Sequence, residues 1–533
     1  MRTKIKRLTA TLLAVLSLFS LTGCGEDVPD DGYIDAVNPG KEIVQTAAAD
    51  AVFSLNSNSR YSMNPLIATN TSNQIICCLV YENMLELDSK YELVPNLITA
   101  WEASNGGKTW SFTVTEGRTF HDGSPLTAWD VAFSLKCAMN SDRFRSRFSY
   151  VYGVSALDDT SFVVNLGKSN MQFPKLLTVP VIKSGTFDTD HPVGSGPYTY
   201  AEDHKSLTAF KEHPSYATLP LDTIYIKEYT TIDEIITAFE DSVLDLVMND
   251  PTATTNLGYG SSNEIRGYNT TNLHYIGFNT ESPLFMYDGM RYALNYAFDR
   301  DYIVDQFNGF ALGTSIAVSP ASPYYSKTLA EKYYYDLNQC GNILRNGGLS
   351  DFDNDGFLEQ KIGDTLIEID VRFVVCSASV IKVTIARKFA ADMARLGLKV
   401  TVQELNWSDY KAAVNNGNFD MYYGEVRENP DFDPSKFLVE DAILNYGKVE
   451  SEELERAIGE YLAADDDNRP GACYNMCSAI AAQAFMIPLC YEKHQMITHR
   501  GIITGISITE NNPLYNFANW TVDLGTGSNE IMG

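Results

Sequence analysis

The sequence predicts a mixed α/β protein that is organised in at least two lobes. The chain has 533 residues, which is more than one hydrophobic core usually supports. Its hydrophobic content of 44% and charged content of 20% are ordinary for a folded globular protein. Segments with the two-residue period of strands alternate with segments that have the period of helices, which indicates sheets covered by helices.

In the first half of the chain, short apolar or alternating runs predict strands, and capped amphipathic runs predict helices. Trp110, Phe112 and Val114 alternate with polar residues, as in a strand with one buried face. Thr127 and Asp130 have the spacing of a capping box, which predicts the start of a helix. The predicted elements are strands at 51–55, 110–114, 161–166 and 244–248, and helices at 74–85, 127–140 and 232–240.

The second half continues this alternation. Residues 292–298 have a helical pattern that we expect to end near Arg300. Gly397 separates a long predicted helix from the strand that follows it. Ser451 is a suitable N-cap for a further helix. The other predicted elements are a helix at 379–396 and strands at 398–405, 419–423 and 485–491.

The N-terminus has the form of an export signal. A basic start at 2–7 is followed by an uncharged run at 8–23, which is shorter than the roughly 20 apolar residues of a membrane span. The sequence Leu-Thr-Gly-Cys that ends at Cys24 resembles a bacterial lipobox, in which the cut precedes the cysteine and the thiol carries diacylglycerol. We therefore expect a lipoprotein signal peptide at 1–23, fatty acyl chains such as palmitate on Cys24, and an acidic flexible tether at 24–41.

Charge and cysteine content argue against two classes of function. The net charge is -28 and no basic stripe offsets it, so the chain should repel the phosphates of nucleic acids. The nine cysteines show neither CxxC pairs nor a Cys/His cluster at zinc spacing, and most have apolar neighbours, which indicates buried thiols. The seven histidines are scattered, so no metal site and no cofactor are expected.

Several blocks in the body of the chain occur in an order that is typical of one family. The segment 120–134 reads Phe-His-Asp-Gly-Ser-Pro-Leu-Thr-Ala-Trp-Asp-Val-Ala-Phe-Ser. It is followed by a Gly-Ser-Gly-Pro-Tyr turn within 192–198, the segments 275–279 and 290–300, an Asp-Asn-Asp-Gly loop within 353–359, and Asp-Phe-Asp-Pro at 431–434. Together these blocks resemble the extracellular solute-binding proteins of the dipeptide, oligopeptide and nickel class, family 5, which serve ABC importers.

The resemblance implies a bilobal clamshell like the type II periplasmic binding proteins, with discontinuous lobes. Lobe I would comprise 42–270 and 495–533, and lobe II would comprise 271–494, with two strand crossovers as the hinge. The implied function is that of a lipid-anchored receptor on the outer face of the bacterial cell membrane. It would capture a small solute, with peptides as the leading class, between the lobes, and deliver it to ABC permease subunits. We expect a monomer that is not an enzyme.

The segment from Trp407 to Pro434 is the best candidate for the wall that determines ligand specificity. A peptide zwitterion needs an anion for its ammonium group and a cation, ideally arginine, for its carboxylate. The candidate ligand-binding residues in this segment are Trp407, Tyr422, Tyr423, Glu425, Arg427, Asp431 and Asp433. Trp407 could stack on the ligand or fill the core, and the charged residues could also be solvated loop residues.

The resemblance also assigns the ligand's amino group to a carboxylate that lies four residues before the proline of the Asp-Pro step. That position is Pro430 in this chain, which departs from the family pattern. Asp431, Glu425 or Asp433 could take over the role. In the other lobe, Arg60 and Tyr61 follow the first predicted strand and are further candidates, since loops at sheet ends often face a binding cleft.

Two other interpretations remain open at the level of the sequence. The chain could be an exported hydrolase, although it contains neither GxSxG nor HExxH, or a nutrient sensor that shares the fold without transport. Asp351, Asp353 and Asp355 fit the start of a calcium loop, but Ile362 holds position twelve, where an EF-hand needs glutamate. That loop could form a weak site with Glu359 or an Asx-rich turn.

Overall fold

The computed structural model of the protein describes residues 52–252 and 262–525. The signal peptide, the acylation of Cys24 and the tether that the sequence predicts lie outside these residues. Among the helices of the described ranges, none combines the length and apolarity that crossing a bilayer requires.

The first core is one hydrophobic cluster formed by side chains from Phe53 to Leu246 and from Met496 to Trp520. In chain order, the elements of this part of the chain are β1 Ser54–Ser57, α1 Thr71–Val80, β2 Leu85–Leu87, β3 Leu93–Pro95, β4 Ile98–Ser104, β5 Thr109–Val114, α2 Ala128–Asn140, β6 Val151–Ala156, β7 Ser161–Leu166, β8 Tyr198–Tyr200, β9 Ser206–Ala209, β10 Thr223–Glu228, α3 Ile232–Glu240 and β11 Leu246–Asn249. Of these, α3 packs with Val247 and Ile497 in a separate small cluster.

Two four-stranded sheets organise the first core. One has the order β4-β5-β7-β6 and the other the order β1-β10-β9-β8. Trp110, Phe112 and Val114 on β5 are buried, as their alternation with polar residues predicted. The carboxylate of Asp130 accepts a hydrogen bond from Thr127 N at 3.1 Å, which is the back-bond of the capping box expected before α2.

The second core is formed by side chains from Leu273 to Tyr491 and is joined by Tyr91. Its elements are β12 Asn263–Phe278, α4 Asp288–Ala293, α5 Arg300–Gln306, β13 Ala311–Gly313, α6 Lys327–Ala330, α7 Leu337–Asn346, β14 Leu349–Ser350, β15 Glu359–Ile362, β16 Thr365–Glu368, β17 Asp370–Cys376, α8 Val380–Ala394, β18 Lys399–Leu405, α9 Trp407–Asn415, β19 Met421–Arg427, α10 Ser435–Leu438, α11 Glu452–Ala463, α12 Arg469–Gln483 and β20 Met486–His499. Two short strands, β21 Ile503–Thr504 and β22 Thr521–Val522, follow in the C-terminal segment.

Two long strands connect the cores. β12 and β20 pair antiparallel within a sheet of order β11-β20-β12-β19-β17-β18, and β13 pairs with β20. Asn269 lies opposite Lys493, whereas the next paired residue, Leu273, lies opposite Tyr491. Three residues of β12 therefore face Glu492 alone, which is a bulge of the kind that bends a strand pair.

The chain passes from the first core to the second through β12 and returns through β20. This arrangement is the mixed α/β fold with discontinuous halves that the sequence predicts. The individual lobe limits, 42–270 with 495–533 and 271–494, stay predictions.

Most predicted elements are present, and the ends of two predicted helices are wrong. The helix predicted at 74–85 ends at Val80, where Tyr81 is already extended, and Leu85 begins the strand β2. The strand at 161–166 and the helix at 232–240 are confirmed as β7 and α3. The helix expected to end near Arg300 instead ends at Ala293, and a 3₁₀ turn follows at Leu294–Tyr296. Arg300 begins a new helix, because the Asp299 side chain caps it by accepting a hydrogen bond from Tyr302 N at 3.0 Å.

Candidate ligand-binding site

A cavity of about 480 Å³ lies between the two cores, and we call it the inter-core cavity. Its volume is within the roughly 300–1,000 Å³ that small-molecule sites occupy. Arg143 and Arg147 line it from the first core, and Arg427 and Lys436 line it from the second. The chain as a whole carries a net charge of -28, so this concentration of cations is a local exception.

The two arginines of the first core are held by backbone and aromatic groups. Arg147 Nη1 donates to Thr178 Oγ1 at 3.0 Å, and Arg143 donates to the carbonyl oxygen of Pro65. Their guanidinium carbons lie 5.2 and 4.8 Å from the centre of the Phe144 ring, which is cation–π distance. Within the described part of the chain, neither guanidinium is paired with a carboxylate. Their charges are therefore available to a ligand.

The cations of the second core reach the same cavity from β19 and α10. Arg427 Nε lies 2.8 Å from Glu510 Oε1, so this charge already has a partner. Lys436 is half-buried and has a lowered pKa, chiefly because burial disfavours its charged form and partly because Arg147 repels it. Burial, followed by the charges of Arg427 and Arg143, also lowers the pKa of Arg147 to about 10. The four cations thus influence one another across the cavity.

Glu428 is the other acid on the cavity wall. It is buried, and Tyr491 Oη donates a hydrogen bond to its carboxyl group. Burial, with contributions from Asp431 and Asp433, raises the pKa of Glu428 to about 8. The side chain is therefore largely neutral at pH 7, and Glu510 is left as the negative charge that faces the four cations. The cavity suits an anionic group.

A second cavity, of about 530 Å³, lies against β19 and α9, and we call it the aromatic cavity. Trp407 is 64% exposed and stacks on Tyr410 with ring centres 6.0 Å apart, so the alternative that it fills the core is wrong. Tyr410 Oη donates to Tyr423 O at 2.6 Å, and both residues line the cavity. Glu425, also on the wall, is paired with Lys382.

The structure divides the predicted site residues among separate places. Trp407, Tyr422, Tyr423 and Glu425 line the aromatic cavity, and Arg427 lines the inter-core cavity. Four of these five residues are on β19, and Trp407 begins α9. Their contact with a ligand stays a prediction.

Asp431 and Asp433 instead lie where the two cores touch. Asn170 Nδ2 donates to Asp431 Oδ2 at 2.9 Å, and Lys168 Nζ lies 2.7 Å from Asp433 Oδ2. Burial and the neighbouring Asp433 raise the pKa of Asp431 to about 6. Neither residue lines either cavity. Their carboxylates are engaged in joining the cores, so the geometry does not favour the predicted role in holding an amino group.

Arg60 and Tyr61 lie in an exposed loop after β1. Tyr61 is exposed, and the backbone nitrogen of Arg60 donates to Asn58 Oδ1 at 3.1 Å. Neither residue lines the two cavities, so their predicted contact with ligand has no support from their position.

Three cavity cations were not among the residues selected from the sequence. Arg143, Arg147 and Lys436 have no family motif, and Arg143 and Arg147 follow α2 in an irregular segment. The spacing Arg-Phe-Arg-Ser-Arg at 143–147 is a local basic run in an acidic chain, and this contrast could have identified them.

The acidic loop is well ordered by its own hydrogen bonds. Asp351, Asp353, Asp355 and Glu359 bring ligand oxygens within 4.8 Å of one another. The Asp353 and Asp355 side chains accept from backbone nitrogens two residues on, as in the expected Asx turns. Calcium binding by this loop stays untested.

Comparisons with known proteins cover both cores. Residues 92–441 match the family described as bacterial extracellular solute-binding proteins, family 5, middle. The oligopeptide-binding protein AppA of Bacillus subtilis is 25% identical over 388 residues, which cover 67% of this chain and 69% of AppA. The nickel-binding periplasmic protein of Escherichia coli is 22% identical over 487 residues, which cover 84% of this chain and 90% of that protein.

Solved structures of the same class share the fold. HbpA2 from Haemophilus parasuis gives a TM-score of 0.71 at 16% identity, over 89% of this chain and 99% of HbpA2. The sequence match extends over more than half of the chain and includes most of the residues that line the inter-core cavity. The protein therefore belongs to family 5 of the bacterial extracellular solute-binding proteins.

Proposed function

We propose that the protein captures a small solute with an anionic group in the inter-core cavity and delivers it to the permease of an ABC importer. The observation that carries this proposal is the meeting of four cations from two cores around one cavity. A carboxylate accepts charge-assisted hydrogen bonds from arginine and lysine, and these are stronger in a site shielded from water.

The same cations link solute binding to the relative position of the cores. When Arg143 and Arg147 approach Arg427 and Lys436 without an anion between them, like charges repel. An anionic solute replaces this repulsion with attraction to both sides. It therefore binds better when the cores are close together than when they are apart, and this difference in affinity is what shifts a conformational equilibrium.

Peptides are the leading ligand class in this proposal. A peptide carboxylate would bind the inter-core cations, and the rest of the ligand would reach the aromatic cavity with Trp407, Tyr422, Tyr423 and Glu425. The relatives do not decide the ligand, since one is named for oligopeptides and another for nickel. The preference for an anionic end comes from this chain's own residues.

We further propose that acyl chains on Cys24 hold the protein at the outer face of the cell membrane, where it acts as a monomeric binding protein. Several buried acyl chains give firm anchoring, since each methylene contributes about 0.8 kcal/mol. An exported hydrolase and a sensor without transport are the competing functions, and no catalytic motif in the sequence favours the first.

Calorimetric titration with short peptides that have a free or an amidated C-terminus tests the proposal. We expect the free-acid peptides to bind and amidation to weaken them by about 1.5–3 kcal/mol, the typical contribution of a hydrogen bond to a charged group. At 100 times the dissociation constant, a bound peptide should also add about 2.7 kcal/mol to the stability of the fold. Equal affinity for both forms would contradict the anionic preference, and turnover of a peptide would favour the hydrolase.

Arg147→Gln is the informative variant for this titration, and Arg145→Ala is its matched control. Arg145 lies in the same segment but is exposed and pairs with Asp142 at the surface at 3.1 Å. Loss of the distinction between free and amidated peptides only in Arg147→Gln would locate the carboxylate in the cavity.

A further inference from the structure

We propose that Asp250, Glu492 and His494 bind a divalent first-row transition-metal ion of the Zn²⁺ type, at a site between the inter-core cavity and the aromatic cavity. Asp250 is far from Glu492 and His494 in the sequence, and the three residues belong to no metal-binding motif. In the structure, their potential ligand atoms all lie within 4.8 Å of one another. The three residues are different from the four cations that support the solute proposed above, so the site does not rest on that solute.

Sheet register brings the three residues together. Asn249, the last residue of β11, pairs with Gln495 on the antiparallel β20, so Asp250 comes next to His494. Glu492 and His494 are two residues apart on β20 and therefore project from the same face of the strand. His494 lines the inter-core cavity and Asp250 lines the aromatic cavity, so a bound ion would lie at their common wall.

A buried carboxylate oxygen without a hydrogen-bond donor is the second observation, after the clustering of ligand atoms, that points to a bound ion. Glu492 is 1% exposed, and within the described ranges no donor reaches its Oε1 atom. Its nearest candidate, His494 Nε2, lies at 3.6 Å, which is too long for a hydrogen bond. That separation is close to the roughly 3.4 Å expected between two ligands of a tetrahedral ion with bonds of about 2.0–2.1 Å.

The negative charge of Asp250 raises the energetic cost of leaving Glu492 Oε1 without a partner. A carboxylate oxygen of Asp250 lies within 4.8 Å of one of Glu492. Two carboxylates that share a site repel unless a proton or a cation lies between them. A divalent ion would satisfy Glu492 Oε1, neutralise both acids and use the free Nε2 atom of His494.

The surrounding groups orient the ligands as metal sites require. His274 Nε2 lies 3.1 Å from Glu492 Oε2, so one carboxylate oxygen is held and the other is left for an ion. His274 Nδ1 is in turn 3.3 Å from Tyr423 Oη. Asp250 Oδ1 accepts from Thr252 N at 2.7 Å and from Thr252 Oγ1 at 2.6 Å, which fixes that carboxylate. Such supporting contacts typically change metal affinity 10- to 100-fold.

The ligand set selects the class of ion. Two carboxylates and one imidazole suit zinc and its first-row neighbours, whereas calcium and magnesium prefer oxygen ligands alone. Three protein ligands also leave at least one coordination position for water or a solute.

Titration of the metal-free full-length protein with Zn²⁺ tests the site by calorimetry, with no organic solute present. We expect one tight equivalent, and at least a tenfold loss of affinity in both His494→Ala and Asp250→Asn. Asp353→Asn, which alters the acidic loop at 351–359, and His204→Ala are the controls and should bind as the wild type does. Thermal unfolding of the metal-free variants checks that each is folded.

Absence of a Zn²⁺ equivalent, or equal affinity in His494→Ala, Asp250→Asn and the wild type, would overturn the site. Loss of binding in Asp353→Asn alone would assign the ion to the acidic loop and also overturn it. Because no peptide is present, either result leaves the peptide titrations unaffected.

Discussion

Arg427 Nε lies 2.8 Å from Glu510 Oε1, and this ion pair joins β19 of the second core to the C-terminal segment beyond β21. The same carboxylate accepts a hydrogen bond from Thr271 N at 2.9 Å, at the bulge of β12. Glu510 is buried around its carboxyl group, whereas the Arg427 side chain is 60% exposed. Arg427, which the sequence analysis selects as a ligand contact, is therefore already paired with Glu510, which the sequence analysis did not select.

Arg427→Ala should weaken the binding of a free-acid peptide by about 1.5 kcal/mol. This is the lower end of the range for a hydrogen bond to a charged group, because the side chain is partly solvated and already paired. The substitution also leaves the charge of Glu510 facing the cavity. In the double variant Arg427→Ala/Glu510→Gln, affinity should partly recover, and calorimetry of the full cycle measures this coupling. Unchanged affinity in Arg427→Ala would remove Arg427 from the site.

Lys436→Met should stabilise the empty protein and weaken an anionic solute. The lowered pKa of Lys436 means that the fold disfavours its charged form, chiefly through burial, and methionine removes that charge at similar volume. Thermal unfolding without ligand should show a higher Tm, and peptide titration should show roughly tenfold weaker binding. A lower Tm with unchanged affinity would show that Lys436 supports the fold rather than the ligand.

Glu428→Gln should flatten the dependence of stability on pH. The folded state raises the pKa of Glu428 from 4.5 to about 8, chiefly through burial, so the folded protein holds a proton that the unfolded chain has lost. The stability that comes from this proton is full below about pH 4.5 and is lost as the pH rises to about 8. Denaturant unfolding across that window should show a steeper decline in the wild type than in the variant. Parallel curves would mean that Glu428 titrates normally.

The affinity for an anionic solute should fall at the upper end of the same range. As Glu428 ionises near pH 8, its charge offsets one of the four cavity cations. Glu428→Gln should keep its affinity between about pH 7 and pH 9, while the wild type loses affinity. A loss of equal size in both proteins would assign the effect to another group.

Cys24→Ser should prevent acylation and leave the protein soluble or with its signal attached. The thiol is the nucleophile that accepts the lipid in the lipobox pattern, and serine lacks it. Mass spectrometry of the N-terminal peptide and membrane fractionation measure the outcome. An acylated Cys24→Ser protein would contradict the proposed anchor.

The local patterns of the sequence were sufficient for most of the fold. The alternation in β5, the capping box at Thr127 and the N-cap at Ser451, whose Oγ accepts from Leu454 N at 3.2 Å, all act within one element. The boundary near Arg300 was missed because Asp299 competes with the preceding helix by capping a new one. A continuous apolar period does not reveal such an interruption.

The candidate site was predictable only where one element carries it. Residues 421–427 are consecutive on β19, so a sequence segment could identify that wall. Arg147 and Lys436 meet only because the two cores face each other, and Asp250 and His494 meet only through the pairing of β11 with β20. Neither of these two contacts could be predicted from the spacing of the residues along the sequence. Asp431 shows the converse, because an acid in a motif also makes a contact between cores that the motif does not reveal, and its contact with a ligand stays a prediction.

A crystal structure of the protein with the solute that co-purifies with it tests the central claim most directly. We expect an anionic group of that solute in the inter-core cavity, within hydrogen-bonding distance of Arg143 or Arg147 on one side and of Arg427 or Lys436 on the other. A solute without an anionic group, or one held entirely by residues of a single core, would contradict the account.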